Sequence, residues 1–478
     1  MEFGGIMIVK KLDEFRFRLD SSRVKVYSNS RMMDIMKGDE TLKQALNASH
    51  LPGLVEDVIV MPDGHEGYGF PVGGVAAFDA DEGIISPGAV GYDINCGVRV
   101  ILTSLRYSEI RDSVGHLLDS LFSSVPSGVG SKNNIGFAEA DLKRVSEEGI
   151  DYLIGKGYGF DSDPKFIEEG GFMDGADFNA VSSFAKKRGL NQIGTLGAGN
   201  HFLELQRVER LFDERTAEAF GLFEDQVVVM VHTGSRGFGH QICTDYLMEL
   251  AEYRNRKGIE LEDPELSYAY AGSKEAESYI KAMKCAVNYA FSNRQLITNS
   301  VRGSFEKVFG KSADEMGMRV LYDVAHNIVK LEEHKVGGSR KKLYVHRKGA
   351  TRSLPKGSKD VPKSYISFGQ PVLIPGSMGT ASYILCGAEG ALNETFGSAC
   401  HGAGRVMSRH RALREIPQSR TFESMEKKGI ELRIKSRKLV SEEAEWVYKD
   451  IDDVVNVVSG AGLASLVSRN VPIGVVKG

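Results

Sequence analysis

Asp93 and Cys96 stand three residues apart inside Gly91-Tyr-Asp-Ile-Asn-Cys-Gly-Val-Arg99, a glycine-bracketed segment that follows the turn Ser86-Pro-Gly88. It runs into the apolar stretch Val98 to Leu105 and reads as a loop entering a strand. An ionised carboxylate and a thiolate this close repel each other, and a divalent cation neutralises both. A cation needs further ligands, imidazole being the commonest, and His201, His232 and His326 lie downstream. If these five meet at one site, distant parts of the chain must converge. The chain is then one cooperative catalytic unit rather than beads on a linker. For an isolated Asp-x-x-Cys, a structural cysteine beside a turn-forming aspartate is the better reading, and only the accompanying histidines reverse it.

Glycines let backbone approach a ligand closely, which favours ligand roles for His201 in Gly197-Ala-Gly-Asn-His-Phe-Leu-Glu204 and for His232 in His-Thr-Gly-Ser-Arg-Gly-Phe-Gly-His240. His232 also ends Val227 to Val231, a β-branched run suited to a strand buried on both faces. Leu321, Val324, Ile328 and Leu331 fall at helical spacing, so His326 is expected on a helix, with a merely packed histidine as the alternative. Thiolate and imidazole suggest zinc, whereas carboxylate and neighbouring oxygen donors suit manganese. Ligand type alone leaves both open.

The 478 residues carry a formal charge of -4, so a nucleic-acid contact has to come from a local basic patch. Residues 335–363 supply one: ten Lys or Arg against the single acid Asp360, interleaved with glycine and serine. This basic loop region is expected to meet a phosphate backbone. A charged, partly helical stretch at about 107–188 reads as an insertion into a single catalytic domain spanning 1–478. Strands joined by glycine turns are expected from Val55 to Leu105, and two helices with an acidic break from His240 to about Lys311. Five cysteines without a Cys-x-x-Cys pair argue against a disulfide framework and fit a reducing cytoplasm. The first residues mix Glu, Lys and Asp, so neither a signal peptide nor a membrane span is expected, and Met7 is an alternative start.

The nucleotide side is informative by exclusion. The sequence has no P-loop, no Lys-x-Asp-Gly of lysine-nucleophile ligases, and no deaminase pattern of His-x-Glu with Cys-x-x-Cys. What remains are Gly/Ser loops able to offer backbone N–H groups to phosphates, Pro375-Gly-Ser-Met-Gly-Thr-Ala-Ser382 and Gly402-Ala-Gly404. Beside the second stands His401, either a nucleophile or a phosphate-binding or structural histidine.

Asp93-Ile-Asn-Cys-Gly-Val-Arg, Gly197-Ala-Gly-Asn-His-Phe-Leu-Glu, Val231-His-Thr-Gly-Ser-Arg-Gly, Asp323-Val-Ala-His-Asn, Pro375-Gly-Ser-Met-Gly, His401-Gly-Ala-Gly-Arg and the terminal Gly-Val-Val-Lys-Gly478 occur in this order. Together, from about Pro52 to the last residue, they resemble the RtcB family of RNA-splicing ligases. The resemblance implies an α+β fold of central β-sheets surrounded by helices, with the active site in a deep cleft. It implies a cytoplasmic, monomeric enzyme, dependent on GTP and two manganese ions. Such an enzyme joins RNA 3'-phosphate or 2',3'-cyclic phosphate ends to 5'-hydroxyl ends in tRNA splicing and RNA repair, and the resemblance allows for archease as an activator.

By the same resemblance Asp93, Cys96, His201, His232 and His326 are metal ligands, with Cys96 shared, and His401 becomes guanylylated. Asn200, His201, Phe202, Leu203, Glu204, His326, Asn327, Pro375, Gly376, Ser377, Met378, Ser382, Gly402, Ala403 and Gly404 are implied nucleotide contacts, and Tyr448 and Lys477 would hold the guanine. Asp63 and His65 are placed near the RNA ends, and Lys187, Arg188, Arg236, Arg340, Lys348, Arg352 and Arg409 along its backbone. Two rivals stand beside this reading. One is a metal-dependent phosphoesterase acting on RNA 3' ends without ligation, which has no use for His401 or Lys477. The other is a non-catalytic RNA-binding scaffold.

Overall fold

The computed structural model describes residues 8–133 and 135–478, so Met7 and what precedes it lie outside the described residues. Two antiparallel-rich sheets form the centre. The larger has eight strands, in the order Val320–Ala325, Gly97–Arg106, Gln226–Thr233, Phe202–Leu211, Ala464–Lys477, Ser382–Gly387 and Pro371–Ile374, with Glu431–Ile434 pairing in parallel beside Ala464–Lys477. The other has seven, in the order Val9–Lys11, Arg16–Leu19, Val24–Tyr27, Leu54–His65, Val72–Asp79, Ser339–Lys348 and Asn327–Val336. The strands expected around Val58, Val75, Val98 and Val227 are all present. Every residue of Gln226–Thr233 is buried, as its β-branched run requires.

Helices pack outside the sheets, and the architecture is α+β. The two helices expected after His240 are Arg236–Lys257 and the long Lys274–Phe309, whose middle turns are buried on all sides. Leu117, Leu118 and Leu121 of the 107–188 stretch share one hydrophobic cluster with Leu203 and Val476 of the larger sheet. Glu168 of that stretch accepts a hydrogen bond from the Ala325 backbone N–H at 2.9 Å, directly before His326. The stretch therefore braces the core as well as covering it. No helix among the described residues is long and apolar enough to cross a membrane.

Two expectations are corrected here. His326 is not on a helix: Val320–Ala325 and Asn327–Val336 are strands of different sheets, and His326 is the residue between them. Val320–Ala325 is buried at every residue and so shows no alternation, and Asn327–Val336 buries Ile328, Val329 and Lys330 in succession while Leu331 is exposed, so the spacing did not report a helix face. The basic stretch is likewise not one loop: it includes the strand Ser339–Lys348, paired along its length with Asn327–Val336, and the short strand Ala350–Arg352, and its remainder is mostly irregular.

Candidate active site

Sheet register explains how candidate ligands so far apart in sequence meet. Ala325 pairs with Gly97, Gly97 with Thr233, and His232 with Phe202. Four adjacent strands thus present the same end, and Cys96, His201, His232 and His326 stand at that end. The fifth strand brings Lys477 opposite Phe202. The loop carrying Asp93 is laced to the His326 segment by three backbone-anchored bonds: Asn95 N–H to Asn327 O and His326 N–H to Cys96 O, both 2.8 Å, and Asn327 Nδ2 to Asp93 O, 3.0 Å.

Cys96 Sγ lies 3.4 Å from both His201 Nε2 and His232 Nε2, and His232 Nε2 lies 3.3 Å from His326 Nε2. The donors fall into two sets, Cys96 with His232 and His326, and Asp93 with Cys96 and His201, each within 4.8 Å. Cys96 belongs to both. The donors fit a cation: the buried Asp93 Oδ2 makes no hydrogen bond, although it is 2.9 Å from His201 Nε2. Burial pushes the Cys96 thiol up, reinforced by Asp93, so cation binding has to displace its proton. Burial holds His232 and His326 well below the ordinary imidazole range, in the neutral form a ligand requires. Burial would raise Asp93, but the close approach of the His201 ring, with His240 and Arg236 nearby, more than reverses this, leaving it a carboxylate. Gly234 closes the cradle, since a Cβ there would lie 2.6 Å from Asp93 Oδ2 and 2.7 Å from the Cys96 Cα.

Behind the ligands lies a charged brace that the sequence reading did not single out. Arg294 of the long helix donates through Nη1 to the backbone oxygens of Asn95 (2.9 Å) and Thr233 (2.8 Å), and pairs with Asp323 at 2.9 Å. Arg99 donates to Asp323 at 2.7 Å, and all three side chains are fully buried. The available signal was Asp323, three residues before His326.

His401 follows the strand Ser398–Cys400, its ring centroid 4.7 Å from that of His326. Its Nδ1–H donates to Asp63 Oδ2 at 2.5 Å, and its backbone N–H reaches the same oxygen at 3.1 Å. Among the described residues Nε2 makes no hydrogen bond. His65 donates from Nδ1 to the Asp63 backbone oxygen at 2.9 Å, and burial lowers its pKa to about 3.

A cavity of about 630 Å³ joins these groups. Its lining includes all five candidate ligands and His401, with Asn200, Phe202, Asn327, Pro375, Gly376, Ser377, Met378, Gly402, Ala403, Gly404, Tyr448 and Lys477. Leu203, Glu204 and Ser382 stand behind it, buried in the sheet. Pro375 to Ser382 is mostly the turn between two strands, folded by Ser382 Oγ accepting from the Gly376 N–H at 3.1 Å. At one end Lys477 Nζ is 3.3 Å from Glu443 Oε2, to which Tyr448 also donates at 2.5 Å, and Arg405 contacts both Glu443 and Tyr448. Burial would raise the Glu443 pKa, but Lys477 and Arg405 hold it below the usual range. Glu443 carries no motif, and the sequence reading missed it.

Among the residues expected to touch RNA, His65, Arg188, Arg236, Lys348 and Arg409 line the cavity, while Asp63 lies fully buried beneath His401. Lys187 is exposed on the helix Ser183–Gln192, and Arg340 is exposed near the tip of the hairpin. Arg352 is buried and spent on carboxylates, Glu169 at 3.1 Å and Asp360 at 2.9 Å, so it offers no phosphate contact. Lys348 Nζ donates to the backbone oxygens of Tyr68, Phe70 and Gly88, and burial lowers its pKa to about 8. Its ammonium holds a loop rather than lying free for a phosphate.

A family model described as tRNA-splicing ligase RtcB matches residues 44–478. Relatives bearing that name are 52% identical over 476 residues in Thermococcus kodakarensis (98% of this chain, 99% of the relative), 51% over 458 in Pyrobaculum aerophilum (95% and 94%) and 48% over 478 in Archaeoglobus fulgidus (98% and 99%). With that extent of likeness added to a site assembled from the ends of neighbouring strands, the chain belongs to the RtcB family of tRNA-splicing ligases.

Proposed function

We propose that the protein is a GTP- and manganese-dependent RNA ligase that joins 3'-phosphate or 2',3'-cyclic phosphate ends to 5'-hydroxyl ends, as in tRNA exon joining and RNA repair. The reading rests above all on His401, aimed by Asp63 and 4.7 Å ring to ring from His326 in the donor cluster. A phosphoesterase needs the donors but not an oriented second imidazole.

Two manganese ions would be held by Asp93, Cys96 and His201 and by Cys96, His232 and His326, and when bound would screen the triphosphate and stabilise charge in an in-line displacement. His401 Nε2 attacks the α-phosphorus of GTP; the N–P bond forms as the bond to pyrophosphate breaks. Asp63 accepts the Nδ1 hydrogen bond throughout and stabilises the positive charge developing on the ring. The RNA 3'-phosphate then displaces His401 and takes GMP, giving a 3'-pp-5'G end. The 5'-hydroxyl attacks the 3'-phosphorus, forms the phosphodiester and releases GMP. A cyclic end is first opened by water. Lys477 and Tyr448, with Glu443 as acceptor, match guanine, which offers an acceptor at O6 and donors at N1 and N2. Backbone N–H groups of Pro375 to Met378 and Gly402 to Gly404, except that of Pro375, serve the phosphates. Asn200, Phe202 and Asn327 complete the pocket, and Leu203, Glu204 and Ser382 support it from behind.

RNA enters past Arg188, Arg236 and Arg409, with Lys187 and Arg340 as outlying cations. The enzyme acts in the cytoplasm as a monomer, with archease as a metal-loading helper. The deciding experiment supplies GTP labelled on the α-phosphate with manganese. Label should attach to the protein and vanish in His401→Ala while cation binding survives. Label retained in that variant overturns the nucleophile, and absence of label in the unsubstituted protein favours the phosphoesterase.

A further inference from the structure

At the cavity mouth three aromatic rings form a short ladder. Tyr68 packs edge-on against Tyr92 with centroids 5.6 Å apart, and Tyr92 stacks on His240 at 5.9 Å and 26°. All three line the cavity, and Tyr92 adjoins Asp93. Tyr68 is 61% exposed, a large apolar surface left in water next to a polar cleft. Among the described residues neither tyrosine hydroxyl makes a hydrogen bond, so each ring is placed by its backbone and its neighbours.

That placement is rigid at the backbone. The Tyr68 carbonyl accepts from Lys348 Nζ and from the Phe70 N–H, both at 2.6 Å. Gly67 exchanges two bonds with the Gln44 amide, at 2.7 and 2.9 Å. A Cβ at Gly67 would meet Phe70 O at 2.5 Å, and Gly69 has a φ of +65° with Glu265 against it, so the tight turn on either side of Tyr68 depends on glycine. A ring presented to solvent on a pinned loop loses little freedom on binding a flat partner. Cations at the same mouth, Arg188, Arg236 and Arg409, would draw in a polyanion. A flat partner on a polyanion is a nucleobase.

We propose that Tyr68, backed by Tyr92 and His240, is a stacking platform for the unpaired base next to the RNA break, setting how the terminal phosphate enters the cleft. This rests on the reading of the site as an RNA ligase. Base–aromatic stacking tolerates any sequence because every base offers a π-face, as suits an enzyme joining many different ends.

The test uses the full chain and RNA oligonucleotides ending in a 3'-phosphate, with 2-aminopurine, adenine or an abasic site as the last nucleotide. Binding should quench the 2-aminopurine fluorescence, with the quench lost in Tyr68→Ala and kept in Tyr68→Phe and Tyr68→Trp. Sealing by Tyr68→Ala should fall about tenfold in kcat/KM on the adenine end and not at all on the abasic end, with labelling of His401 by GTP unchanged. Equal quenching in the parent and Tyr68→Ala, or an equal loss on adenine and abasic ends, overturns the platform. Failure of the unsubstituted protein to take label overturns the ligase reading instead, and the quench still decides the platform.

Discussion

The carboxylate of Asp63 receives two hydrogen bonds from His401, one from Nδ1 at 2.5 Å and one from the backbone at 3.1 Å, fixing both the ring and its tautomer. Asp63→Asn keeps the shape but can turn an N–H toward the ring, favouring the tautomer whose Nε2 carries the proton. The single-turnover rate of GMP transfer to the protein should drop by about 10²- to 10⁴-fold, with cation uptake preserved. A loss under about tenfold would show that Asp63 does not set the nucleophile.

Cys96 serves both donor sets. Cys96→Ala should abolish tight manganese binding, whereas Asp93→Ala and His326→Ala should each leave about one ion of the two per chain. Gly234→Ala tests the same cradle from the backbone side, because its methyl would lie 2.6 Å from the Asp93 carboxylate. Electron paramagnetic resonance titration of manganese reads all four variants, and normal stoichiometry in Cys96→Ala would refute the shared sulfur.

Burial pushes Glu204 up to about 8 from an ordinary 4.5, against the opposing effects of Gln206 and Lys477. Between those two values the folded chain keeps a proton that the unfolded chain has released. Its contribution to stability is therefore full below pH 4.5 and is lost as pH rises toward 8. The limiting slope is about 1.4 kcal/mol per pH unit. Urea denaturation at several pH values should show Glu204→Gln gaining stability relative to the parent as pH rises from 5 to 8, and parallel curves would contradict the buried neutral acid.

Arg294→Met strips one partner from the buried Asp323 and frees the backbone oxygens of Asn95 and Thr233. Breaking a buried pair on one side costs about 3–5 kcal/mol, which equilibrium unfolding would reveal. Because Asn95 adjoins Cys96, manganese affinity should weaken as well. Unchanged stability would mean that the brace is dispensable.

Four of the five donors that meet at the candidate site, Asp93, Cys96, His201 and His232, stood out in the sequence because thiolate, carboxylate and imidazole have few reasons to sit among glycines, whereas His326 had no such context. The strand Gly97–Arg106 was legible for the same local reason, a turn followed by an apolar run. What failed was long-range. Arg347 and Arg352 looked like free charge because, Asp360 apart, their neutralisers Glu332, Glu168 and Glu169 are supplied from outside the basic stretch. His326 looked helical because the fully buried Val320–Ala325 shows no alternation, and Leu331, counted into the apolar stripe, is in fact exposed. Asp63 was placed near RNA, but its partner His401 is brought to it only by folding.

His326 joins a strand of the larger sheet to a strand of the smaller, while Asp63 at the far end of the pairing belongs to the smaller sheet alone. The chemistry therefore straddles two slabs and acts as a gauge of their alignment. A slip of about one ångström between them would move the His401 ring off the donor cluster with every loop in place, so under the proposed mechanism a grip on the outer surface of either slab would throttle the enzyme without entering the cleft.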